Sequence, residues 1–229
     1  TLYLFFKILK VPHTNLFYFV PIPILLFQLQ AWDNMTWSVT ALQKYYILFF
    51  SLLTFYFLSK NSTKGFYGGF FFATISVFTS GSGLVTIFLG WVILLIRKKY
   101  RENLIWASGA SLLVLFYFKN FQPQANVLAG TQSIAGFKNM MMYFFAYLGS
   151  SISFNNLVAA VIIGLAFSFY LFFLIWEKYF LKNMTAFIFI VYIFLTAGLV
   201  ALARSDLGIN NVFASRYKID SVILMILVY

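Results

Sequence analysis

The sequence predicts an all-α fold, a polytopic transmembrane helical bundle with short or broken helices. Three observations lead there. Hydrophobic residues make up 62% of the chain and charged residues only 9%, whereas a soluble domain carries about 25% charged residues. Two apolar runs, 157–176 and 184–203, match the ~20 residues that a helix needs to cross a bilayer. Pro, Gly and polar clusters cut the other apolar stretches into lengths suited to bent or shortened helices.

Composition also narrows the function. The formal charge of +11 does not point to nucleic acid, because Lys and Arg gather in short loops between apolar runs. That is the pattern of cytoplasmic loops under the positive-inside rule. The expected partner is membrane lipid. With no cysteine, disulfides and thiolate metal sites are excluded. One histidine and five carboxylates are too few to favour a protein-built zinc site, so no metal is expected and no cofactor is identifiable. The 22% aromatic content supplies lipid-facing bulk, with Trp and Tyr near segment ends suited to the interface.

In chain order, 1–9 reads as the tail of a helix interrupted by Lys7. The run 16–27 contains Pro21 and Pro23 and reads as a kinked or short segment. Residues 28–40 form a polar loop, followed by a span at 41–58. The stretch 65–96 is too long for one span and too short for two, and Ser80-Gly81-Ser82-Gly83 divides it into two shortened helices. That break either reaches below the membrane surface or is a tight turn between tilted helices. The basic run from Arg97 to Arg101 follows, then a short span at 104–118 and a long polar loop at 119–139. The apolar piece 140–148 is half a membrane thick and suits a re-entrant or interfacial helix. Spans at 157–176 and 184–203 flank a charged turn at 177–183, and a polar loop from Arg204 to Lys218 precedes the last apolar run.

An alternating topology puts Lys7, Lys10, Lys60, Lys64, Arg97, Lys98, Lys99, Arg101, Lys178 and Lys182 on the cytoplasmic side. The six other cations, three of them in the 204–218 loop, fall outside. One membrane domain covers 1–229, read as part of a longer polypeptide because it starts at Thr1 and ends inside an apolar run.

The 204–218 loop is the leading candidate site. Arg204 and Arg216 have the planar, bidentate donors that suit phosphate or pyrophosphate, Tyr217 can stack on a sugar, and Gly208 permits a sharp turn. Equally, Arg204 pairs with Asp206 and the loop is a solvated interface anchor. Asp33, with Gln30 and Asn34 near it and Trp32 and Trp37 around it, reads either as a general base at an aromatic mouth or as a helix N-cap. His13 reads as a polar turn residue, Ser80 to Gly83 as a small-residue packing notch, and Met140 to Met142 as adaptable packing.

Three pieces, Gln30-Ala31-Trp32-Asp33-Asn34-Met35-Thr36-Trp37, Ser80-Gly81-Ser82-Gly83-Leu84 and Arg204…Gly208…Ala214-Ser215-Arg216-Tyr217, together resemble a largely uncharacterised type of bacterial polytopic inner-membrane protein. That type is similar to the GT-C-type glycosyltransferases. The resemblance implies an enzyme of cell-envelope glycan assembly in the bacterial inner membrane, using a polyprenyl-phosphate-linked sugar donor. It further implies that a carboxylate of the first outward loop, of which Asp33 is the nearest match, is the catalytic base and that the later outward cations Arg204 and Arg216 engage the lipid phosphate. Asp206, Tyr217, Gln30 and Asn34 are the further candidate substrate-binding residues. A transporter or flippase for a lipid-linked or anionic solute, and a non-catalytic subunit of a larger complex, are the alternatives.

Overall fold

A computed structural model describes residues 2–8, 16–119 and 133–229. His13, Lys10 and the middle of the predicted 119–139 loop, including Gly130, lie outside the described residues. Every regular element among those described is helical, one of the two ways a backbone can satisfy its own polar groups in lipid. In order they are α1 (Leu2–Ile8), α2 (Pro21–Leu26), α3 (Trp32–Thr36), α4 (Ser38–Ala41), α5 (Ile47–Ser59), α6 (Thr63–Thr79) and α7 (Gly83–Ile96). Then come α8 (Tyr100–Phe118), α9 (Ile134–Gly149), α10 (Leu157–Trp176), α11 (Tyr179–Lys182), α12 (Met184–Arg204) and α13 (Ser215–Val228). A π turn, Leu42–Tyr46, joins α4 to α5, and 3-10 turns at Ser205–Leu207 and Ile209–Phe213 lead from α12 into α13.

Local sequence sets the helix starts. Side chains of Ser62, Ser133, Asn156 and Asn183 accept the backbone N–H three residues on, at Gly65, Gly136, Ala159 and Ala186, each satisfying one otherwise orphaned donor. Pro21 sits in the first turn of α2, where its missing N–H costs nothing.

Three described stretches are long and apolar enough to cross a membrane: Ser38–Ser59, Leu157–Trp176 and Met184–Leu207. The chain is thus an all-α membrane protein. The 104–118 span is not among them, because its helix starts at Tyr100 and carries Arg101, Glu102 and Asn103 in its first turn. The expected division of 65–96 holds, with α6 and α7 either side of Ser80–Ser82.

Four expectations are corrected. Residues 28–40 are short helices rather than a loop. Asp33 does not cap a helix: it lies inside α3, whose N-cap is Ala31 with no side-chain bond. The 140–148 piece belongs to a 16-residue helix, α9, because Ser133 caps it further upstream. Finally, α13 begins at Ser215, so Arg216, Tyr217 and Lys218 are helical rather than in the loop.

α12 is the central helix, with 61% of its membrane stretch buried in protein against 22% for α10. α9 and α10 pack backbone to backbone: a Cβ on Gly149 would collide with the Ala160 carbonyl, and one on Gly164 with that of Phe145. Such close approach through small residues is how membrane helices gain packing that lipid cannot supply. Gly83 likewise lies on the Ser76 backbone, which realises the expected notch between α6 and α7. Trp106 of α8 fills the space over Gly90, is fully buried, and donates from Nε1 to the Ile87 carbonyl at 3.0 Å.

Candidate anion-binding cavity

The turn after α12 depends on Gly208, whose φ of 97° lies where side-chain-bearing residues are strained. It returns the chain so that the first turn of α13 docks on α3. Ser215 Oγ donates to the Gln30 carbonyl at 2.8 Å and accepts the Asp33 N–H at 3.2 Å. Asn34 Nδ2 donates to the Arg216 carbonyl at 3.2 Å. The contributions of Gln30 and Asp33 here are thus backbone ones, and that of Asn34 a side-chain amide.

One turn further, Asp220 is almost sealed from solvent at 2% exposure. Its Oδ2 accepts from Lys44 Nζ at 2.9 Å and from the Tyr147 hydroxyl, tying the π turn, α9 and α13 together. A charge so deep is tolerable only when paired and hydrogen-bonded. Lys218 Nζ donates to Asn155 Oδ1 at 2.7 Å. Ser221 Oγ donates to the Leu148 carbonyl at 2.5 Å and lies 2.8 Å from Ser151 Oγ.

These attachments fix one wall of a cavity of about 480 Å³. Arg204 comes to it from the end of α12, Arg216 and Tyr217 from α13, Gln43 and Lys44 from the π turn, and Ser80 to Ser82 from the α6–α7 break. Arg216 stacks its guanidinium 5.0 Å from the Tyr217 ring centroid. Its Nε is buried with no partner among the described residues, a donor that costs stability until something accepts from it. None of the described residues lining this cavity is acidic. Its wall therefore offers two guanidinium groups together with hydroxyl and amide groups, the chemistry that receives phosphate.

Of the predicted residues, Arg204, Arg216 and Tyr217 meet at this cavity. Asp33, Gln30, Asn34 and Asp206 do not line it. Asp33 is half-buried on α3, Gln30 and Asn34 support α13, and Asp206 is exposed. The alternative pairing of Arg204 with Asp206 is absent from the ion pairs of the described residues. Sequence reasoning did not find Lys44, Asp220 or Tyr147 as a unit. The available signal was Lys44 within a stretch otherwise apolar to position 58, since an ionisable group at a membrane helix needs a partner.

No protein-family profile, curated protein or solved structure matches the chain.

Proposed function

We propose that the chain holds the phosphate of a polyprenyl-phosphate-linked sugar in the Arg204–Arg216 cavity and acts as a GT-C-type glycosyltransferase in cell-envelope glycan assembly, in a bacterial inner membrane. The observation that carries this reading is the meeting of Arg204 and Arg216 on a cavity with no acidic residue among its described lining, while Lys44 beside them is already paired with Asp220. In the reaction, a carboxylate takes the proton of an acceptor hydroxyl and that oxygen bonds to the anomeric carbon. The bond to polyprenyl phosphate breaks, and its electron pair leaves on the phosphate. Arg204 and Arg216 stabilise the charge developing there. Asp33 is the base in this reading, supplied by a helix whose neighbour Asn34 is bonded to the Arg216 carbonyl.

The test is binding and transfer with a short-chain polyprenyl-phosphate sugar in detergent. Arg204→Gln and Arg216→Gln each weaken donor binding about tenfold or more, the scale of one charged hydrogen bond. Unchanged binding in both variants removes the proposal.

The absence of a carboxylate from the cavity wall favours a second reading, a carrier of lipid-linked anions. In that case donor binding persists with no transfer to any acceptor, and Asp33 is dispensable.

A further inference from the structure

The opposite end of the bundle carries a second cavity, of about 450 Å³, where the C-terminal ends of α5 and α7 meet the start of α12. We propose that it is a separate phosphate site, occupied by the headgroup of an acidic membrane lipid. Among the described residues its lining includes Lys7, Arg97 and Lys182 and no Asp or Glu.

Arg97 is its centre. Nη2 donates to the Ser59 carbonyl at 2.6 Å, which anchors the guanidinium plane across the end of α5. Nη1 is buried and has no partner among the described residues. A guanidinium buried on one nitrogen and unmatched by a carboxylate pays desolvation without return unless an anion completes it. Burial correspondingly pulls the Arg97 guanidinium below its ordinary range.

The surrounding groups are fixed. Asn183 Nδ2 donates to the Ile8 carbonyl at 2.7 Å, holding α1 against the start of α12. Thr185 Oγ1 donates to Ser59 Oγ at 2.8 Å. The N-terminus of the 21-residue α12 therefore opens on this cavity with its partial positive charge. Lys7 and Lys182 are exposed at the rim, Lys182 also forming an ion pair with Glu177 at 4.0 Å. This end also carries Lys60, Lys64 and the Arg97 to Arg101 run, the distribution that the positive-inside rule assigns to the leaflet rich in anionic lipid. The cavity differs from the Arg204–Arg216 one in position and residues, and its occupancy does not depend on sugar transfer.

The experiment is native mass spectrometry of the full chain from nanodiscs of phosphatidylglycerol and phosphatidylcholine in equal parts. Wild type retains phosphatidylglycerol at least fivefold over phosphatidylcholine. Arg97→Gln, monodisperse by gel filtration, brings that ratio close to one. Lys7→Gln/Lys182→Gln, which alters only exposed side chains, lowers it at least twofold and keeps the proposal testable if Arg97→Gln does not fold. Melting of the delipidated protein with inorganic phosphate identifies the source. A rise matching that from phosphatidylglycerol, and lost in the variants, means the site takes phosphate as such. A rise with phosphatidylglycerol alone means it takes the lipid. Equal retention of the two lipids by wild type with no phosphate response, or unchanged retention in the folded variants, overturns the proposal.

Discussion

Lys44 and Asp220 stand 176 positions apart in the chain and meet at 2.9 Å, with the Tyr147 hydroxyl on the same carboxylate oxygen. This pair sets the depth at which α13 sits against the π turn, and so where Arg216 and Tyr217 face the cavity. Its side chains are unequally covered, 18% exposed for Lys44 and 3% for Asp220. Removing either partner leaves the other's charge stranded, at a cost of about 3–5 kcal/mol for a buried pair. Asp220→Ala and Lys44→Met each lower the melting temperature in detergent. The double variant is less destabilised than the sum of the two, because the stranded charge is gone. Strict additivity in that cycle refutes the pairing.

Ser215→Ala removes the hydroxyl that bonds the Gln30 carbonyl and accepts the Asp33 N–H. Those two backbone groups then lack a partner, a loss of about 1–3 kcal/mol. Faster hydrogen exchange at Asp33, with protection in α9 and α10 unchanged, is the expected reading.

Asp33→Asn separates the two readings of function. Its side chain is not part of the cavity wall, so affinity for a polyprenyl-phosphate donor stays within about twofold, which is less than 0.5 kcal/mol. Transfer to acceptor falls by about 10² or more, the usual contribution of a general base. Wild-type turnover in this variant excludes Asp33 as the base.

Two helical glycines make opposite predictions. Gly164→Ala drives a methyl into the Phe145 carbonyl and forces α9 and α10 apart, so it destabilises. Gly198→Ala on α12 meets nothing within 4 Å and gains helix propensity of up to ~1 kcal/mol. Thermal unfolding of the two in the same detergent checks both signs.

The long helices were legible because burial in lipid and helix length are both local properties of sequence. The run 157–176 matched α10 end to end, and 184–203 matched α12 to within a residue. The Gly and Ser cluster at 80–83 located the α6–α7 break for the same reason. Polarity misled at 28–40 and 204–218, where short helices are held by contacts with each other rather than by propensity. The bonds from Ser215 to Gln30 and Asp33 cross more than 180 positions, which no local window can register. The cavity was half legible: Arg204, Arg216 and Tyr217 are neighbours in sequence. Lys44 joins them only after the fold brings the π turn to α13.

One rod, α12, begins at the Asn183 cavity and finishes at Arg204 in the other. At ~1.5 Å per residue its 21 residues set the separation of the two mouths at roughly one hydrocarbon thickness. A bilayer that forces this rod to lean cannot reshape one mouth while sparing the second. Membrane thickness therefore acts on both cavities together, through a single tilt.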